Sequence, residues 1–70
     1  MSDFSFKKGF DQVKHKDIPV IREKIKEELG IKTHAAFLNR LNGVVVPLAP
    51  EYQAIERIFI EYGITENIWG

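Results

Sequence analysis

The sequence predicts an all-α fold, a small four-helix bundle formed by residues 1–70 as a single domain. Three observations predict it. Apolar residues recur three or four positions apart in successive stretches, as they do on the buried face of a helix. Glycines follow these stretches at the positions where a residue with left-handed backbone conformation would end each helix. The connections between the predicted helices are short. A chain of 70 residues with 44% hydrophobic content can also bury one small core.

The first helix is predicted from the helical spacing of Phe6, Phe10 and Val13, and it extends to about His15. Residues 1–5 precede it and are expected to form a flexible arm. Gly9 lies inside this helix and weakens it by up to about 1 kcal/mol relative to Ala. Burial of the phenylalanine side chains is therefore what would hold the helix in place.

The second helix carries the clearest apolar stripe of the chain, formed by Ile18, Ile21, Ile25 and Leu29. Asp17 is expected to cap its start, with Pro19 in the first turn. Gly30 lies where a left-handed C-terminal cap is expected, and Ile31 can fold back on the helix. The third helix follows at about residues 33–42, with Thr33 as its N-cap.

Residues 44–50, VVVPLAP, are predicted to be extended, because proline disfavours helix at the residue before it. The last helix is predicted to start at Pro50, with Glu51 placed favourably in its first turn, and to stop at Gly63. Its buried stripe is formed by Tyr52, Ile55, Ile58 or Phe59, and Tyr62. Residues 64–70 form a C-terminal tail, in which Trp69 is expected to fold back onto the domain or across a dimer.

Composition excludes several classes of site. There is no cysteine and there are only two histidines, so disulfides are excluded and a metal site is not expected. Association into a homodimer is the support that remains for so small a core. No signal peptide and no apolar stretch of membrane-spanning length is visible, which predicts a soluble cytoplasmic protein with no membrane partner.

An enzymatic role and a cofactor are not expected. The potential nucleophiles, acids and bases lie apart, without a carboxylate at a spacing that would pair with either histidine. No Gly-rich phosphate loop is present, since Gly30 and Gly43 are separated by a whole helix. The side chains that could act as nucleophile, acid or base in an active site are Ser2, Ser5, Thr33, Thr65, His15 and His34.

Charge is distributed unevenly although the net charge is zero. Residues 5–40 contain nine Lys or Arg and five acids, whereas residues 41–70 contain one Arg and four Glu. This dipole is typical of a protein that orients on a polyanion, and equally of a solvated surface of mixed charge.

Two helices joined by a short turn that contains Gly form the unit that many proteins use to place a helix in the DNA major groove. Residues 21–64 resemble the phage-repressor (Cro/C1-type) helix-turn-helix family over about 60% of the chain. The segments that carry the resemblance are LGIKT at the turn, FLNRLNG closing the third helix, a proline-bearing loop and AIERIFIEYGI. At Lys26, four residues before Gly30, that family carries a small residue.

The resemblance implies a lambda-repressor-like fold and a sequence-specific DNA-binding protein, a transcriptional regulator of phage or mobile-element type. Its partner would be double-stranded DNA, bound by a homodimer through the third helix. The residues implied to contact bases are His34, Ala35, Leu38 and Asn39. Those implied to contact phosphates are Lys32, Thr33 and Arg40.

The alternative is a non-enzymatic protein–protein interaction module. It would use the apolar residues 44–48 and Trp69 as a contact patch. An apolar connection this dense lies either across the core or against a partner.

Overall fold

A computed structural model describes residues 4–70, and it confirms the predicted all-α class. Four α-helices and one 3-10 turn make up a small bundle, with no strand in the described part of the chain. No helix between residues 4 and 70 is long and apolar enough to cross a membrane. The helices are α1 Lys7–Asp11, α2 Ile18–Leu29, α3 His34–Leu41 and α4 Ala49–Glu61.

The core is built around the ring of Phe6, which is 1% exposed. The centroids of Phe37, Phe59 and Trp69 each lie 6.1 Å from it, so α3, α4 and the C-terminal residues meet at one side chain. Two of the contacts have the edge-on geometry that aromatic pairs favour. The residues that complete this core are Val13, Ile21, Ile25, Leu41, Ile55, Ile58, Ile64 and Ile68.

The first helix is shorter than predicted. It ends at Asp11, and residues His15–Asp17 form a separate 3-10 turn that leads into α2. A five-residue helix with Gly9 in its middle has little intrinsic stability, so tertiary contacts hold it. Residues 1–3 of the predicted arm lie outside the described part of the chain, whereas the Ser5 hydroxyl donates to the Leu41 carbonyl at 2.8 Å.

The α2 stripe forms as predicted. Ile21 and Ile25 are fully buried, and Ile18 and Leu29 pack partly buried against the core. Asp17 is the residue that precedes the helix, as predicted, but its side chain makes no capping hydrogen bond. The prediction that the Asp17 carboxylate caps the helix is therefore wrong. Asp17 has a helical backbone, whereas a side chain that caps normally extends from a residue in the β region.

The α4 helix packs against α2 and begins one residue earlier than predicted, at Ala49. Leu48 is its N-cap residue, and the Glu51 carboxylate accepts the Leu48 amide N–H at 2.9 Å. The acid in the first turn therefore supplies one half of a capping box, whereas leucine has no side-chain oxygen for the other half, the bond that an N-cap serine or threonine accepts from the third residue of the helix. Gly63 follows the C-terminal end of α4 and has a φ of 81°. The next residue, Ile64, is buried.

The C-terminal tail folds back onto the domain. The Trp69 indole stacks on Tyr52 with the ring centroids 4.3 Å apart and the planes 6° from parallel. Its N–H donates to the Glu56 carboxylate at 3.2 Å. This confirms the first of the two arrangements expected for Trp69.

Candidate nucleic-acid interface

The turn between α2 and α3 is set by local backbone chemistry. Gly30 has a φ of 67°, and the Ile31 N–H donates to the Lys26 carbonyl at 3.0 Å. This is the pattern of a left-handed glycine cap that closes one helix and redirects the chain. The Thr33 hydroxyl then accepts the Ala36 N–H at 3.1 Å and starts α3, as predicted.

Four residues of α3 share its outer face. The helical spacing puts Ala35 and Asn39 farthest from the buried Phe37 and Leu41, with Leu38 and His34 between these two pairs. Leu38 is 38% exposed, less than the other exposed large apolar residues between positions 4 and 70. The exposed residues are His34, Ala35, Leu38 and Asn39, the set predicted to contact bases.

His34 lies at the boundary of this face. Its ring centroid is 6.4 Å from that of Phe37, with the planes 23° apart. Because Phe37 is itself buried against Phe6 and Phe10, His34 is positioned by the core while remaining exposed. Its ring therefore lies over the edge of the core, with the rest of its surface exposed.

The residues predicted to contact phosphates divide into two kinds. Lys32 and Thr33 are exposed at the start of α3, and within residues 4–70 no ion pair of Lys32 is seen. Arg40 has a partner, since its Nη1 and Nη2 atoms lie 2.9 and 3.4 Å from the two carboxylate oxygens of Glu51. The Arg40 side chain is only 17% exposed, so its charge is neutralised and largely covered.

Glu51 is the acid on which this pair depends. The Leu48 amide hydrogen bond, followed by the hydrogen bond and charge of Arg40, lowers the pKa of the Glu51 carboxyl below its usual value. The carboxylate thus stays ionised and keeps Arg40 turned toward α4. Arg40 fixes the end of α3 rather than extending its positive potential.

Two features of this surface were missed by sequence reasoning. Asn42 is exposed one turn after Leu38 and continues the outer face of α3, a placement that its i,i+4 spacing could have indicated. The ring of Phe10 lies 5.7 Å from that of Phe37, which places α1 beside α3. That α1 carries the exposed Lys7 near this helix could not be deduced from spacing, and the Lys8 side chain lies beside Gly70.

The apolar residues 44–48 form a second exposed surface beside α3. Val44 is 70% exposed, Val46 62% and Leu48 69%, so this segment does not lie across the core. The Val44 N–H donates to the Asn39 carbonyl at 2.9 Å, which joins the segment directly to the end of α3. Trp69, predicted to belong to the same patch, packs instead within the domain against Tyr52.

A third surface feature is an open groove of about 360 Å³ between α2 and α4. Its walls carry both signs of charge, with Lys24 Nζ 3.6 Å from the Glu61 carboxylate. Among residues 4–70 there is no group of three side chains able to hold a metal ion. The groove therefore offers no concentrated charge to a ligand.

No protein-family model matches this sequence, and neither a curated protein nor a solved structure matches it.

Proposed function

We propose that this protein binds double-stranded DNA, with α3 as the helix that enters the major groove. The observation that carries the proposal is the outer face of α3, where small and polar side chains are exposed on a helix whose start is fixed by Thr33 and Gly30. Asn39 can bond an adenine at two points and Ala35 can contact a thymine methyl. Such a face fits a transcriptional regulator of the phage-repressor kind.

The charges near α3 support weak contact with the backbone phosphates. Lys32 is exposed beside the first amide N–H groups of α3, and Lys7 is exposed on the neighbouring α1. Positive charge at these points attracts phosphate independently of sequence. Arg40 is excluded from this role because Glu51 holds its guanidinium.

Titration of a mixed-sequence duplex at several salt concentrations tests the proposal, with fluorescence anisotropy as the signal. We expect salt-sensitive binding, and K32A should lower affinity on all sequences and reduce the salt slope by about one. K24A is the matched control, since Lys24 lies on α2 beside Glu61 and its loss should leave binding unchanged. Binding that is absent at low ionic strength would contradict the proposal.

Sequence reading is tested separately by selecting duplexes from a random pool with the wild-type protein. N39A should bind the selected sequence about tenfold or more weakly, while its affinity for unrelated duplex stays that of the wild type. Equal losses on both kinds of duplex would contradict a role of Asn39 in reading bases.

A second candidate function is protein–protein contact through residues 44–48. The exposure of Val44, Val46 and Leu48 favours it, because an apolar segment of this kind marks an interaction surface. The two functions are compatible, since the segment and the outer face of α3 use different side chains. Substitutions in residues 44–48 would change association without altering duplex binding by the isolated monomer.

A further inference from the structure

The exposed apolar segment is held in a defined shape by contacts at both of its ends. The Val44 N–H is bonded to the Asn39 carbonyl, and the Leu48 N–H is bonded to Glu51. Glu51 also pairs with Arg40, so one carboxylate ties the last turn of α3 to the first turn of α4. Pro47 and Pro50 further restrict the backbone. The surface is therefore formed in advance, which reduces the entropy lost on association.

We propose that residues 44–48 are the interface of a symmetric homodimer, in which the segment of one copy packs against the same segment of a second. The proposal deepens the second candidate function by naming the partner, and it does not depend on DNA binding. Val44, Val45, Val46 and Leu48 supply the contact.

The charge of the segment allows a second copy to be its partner. A two-fold interface sets a surface patch against the same patch of the second copy, so a charge near the axis meets a like charge. Residues 41–50 contain no charged side chain, and the charges that flank them, Arg40 and Glu51, neutralise each other within one copy. Two identical segments can therefore meet without repulsion.

The side chains of the segment fit the core of a dimer interface. The amide N–H groups of Val44 and Leu48 are already bonded within the chain, and proline has no N–H to offer. The exposed side chains between these two residues are all apolar, and the cores of homodimer interfaces are more apolar than the rest of a protein surface.

The area of the segment fits a modest interface. Its four apolar side chains together expose roughly 400 Å², comparable with the largest apolar patch on a typical monomer. A protein–protein interface of standard size buries about 800 Å² of accessible surface on each partner. More than half of that buried surface is apolar. The segment can supply most of that apolar share, which predicts a reversible dimer whose population depends on concentration.

Sedimentation equilibrium of the full chain without DNA tests the proposal. The monomer mass is 8.1 kDa, and we expect the mean mass to rise toward twice that value with concentration. V46D should raise the dissociation constant roughly tenfold or more, because it places two like charges across the two-fold axis. I60D is the matched control, since Ile60 is 54% exposed on α4 outside the segment.

A second variant guards against a folding defect. L48S removes an exposed apolar side chain while placing a good capping residue at the start of α4, so it should weaken the dimer without lowering thermal stability. A wild-type mass that stays monomeric into the millimolar range would overturn the proposal, as would equal weakening by V46D and I60D or association beyond the dimer. None of these results would bear on the duplex titration.

Discussion

Arg40 and Glu51 form a two-point ion pair that joins the end of α3 to the start of α4, with the shorter contact at 2.9 Å. Both side chains are largely covered, at 17% and 21% exposure, and the same carboxylate accepts the Leu48 N–H. This geometry changes the role expected of Arg40, from a phosphate contact to a residue that fixes the position of α3. It also makes Glu51 the link between the two candidate surfaces.

Removing the ion pair should destabilise the domain without unfolding it. We expect E51Q to lower the free energy of unfolding by about 1–2 kcal/mol, because the amide oxygen can still accept the Leu48 N–H but glutamine has no negative charge and no second oxygen for the guanidinium. R40Q should cost a similar amount, and the double variant should cost less than the two single effects added together. Urea unfolding followed by Trp69 fluorescence measures all three, and strictly additive losses would show that the pair contributes nothing.

The contribution of Glu51 should depend on pH in a defined direction. Its hydrogen bond from Leu48 and its pairing with Arg40 lower the pKa of the folded carboxyl relative to the unfolded one. The stabilisation is therefore complete above the ordinary glutamate value of about 4.3, and it is lost as pH falls through the lowered folded value. The difference in unfolding free energy between wild type and E51Q should narrow on acidification, and a difference that stays constant from neutral to strongly acid pH would contradict this.

The elements that sequence reasoning predicted correctly are those whose signals lie within a few residues. Gly30, Thr33 and Gly63 act on their own helix ends, and each behaves as its residue type predicts. The α3 face followed in the same way from helical spacing.

What could not be predicted depends on contacts between residues far apart in the chain. The Arg40–Glu51 pair and the bond from Ser5 to Leu41 exist only because packing brings separate segments together. The sequence of α3 alone predicts an exposed Arg40, because cationic side chains on a helix are mostly exposed. The α1 boundary was wrong for a related reason, since its five residues are held by tertiary contacts and carry no independent stop signal.

Gly9 gives a test in which helix propensity and packing predict opposite signs. Propensity alone predicts that G9A stabilises α1 by up to about 1 kcal/mol. A Cβ at this position would lie 3.0 Å from the Ile68 side chain and 3.1 Å from its Cα, and the Gly9 N–H is bonded to the Ile68 carbonyl at 3.0 Å. Because backbone cannot yield as a flexible side chain can, we expect G9A to destabilise the domain by about 1–3 kcal/mol.

A comparison of the thermal unfolding of two single variants, G9A and G30A, separates the cost of a packing clash from the cost of backbone strain. A Cβ on Gly30 would meet nothing within 4 Å, so G30A should lose only the roughly 1–2 kcal/mol of left-handed strain. Stabilisation by G9A would show that Ile68 moves away from α1 in solution.

The packing of Trp69 predicts how strongly the C-terminal tail supports the core. W69F should retain part of the stacking on Tyr52 and lose the hydrogen bond to Glu56, at a cost of about 1 kcal/mol. W69A should lose the ring contacts to both Tyr52 and Phe6, which should lower the free energy of unfolding by about 3 kcal/mol. This value is at the lower end for the truncation of a tryptophan, because the indole is only partly buried. Since total stability is marginal in a domain of this size, W69A should melt far below the wild type by far-UV circular dichroism. Equal melting temperatures for W69A and wild type would mean that residues 64–70 do not pack on Phe6 and Tyr52 in solution.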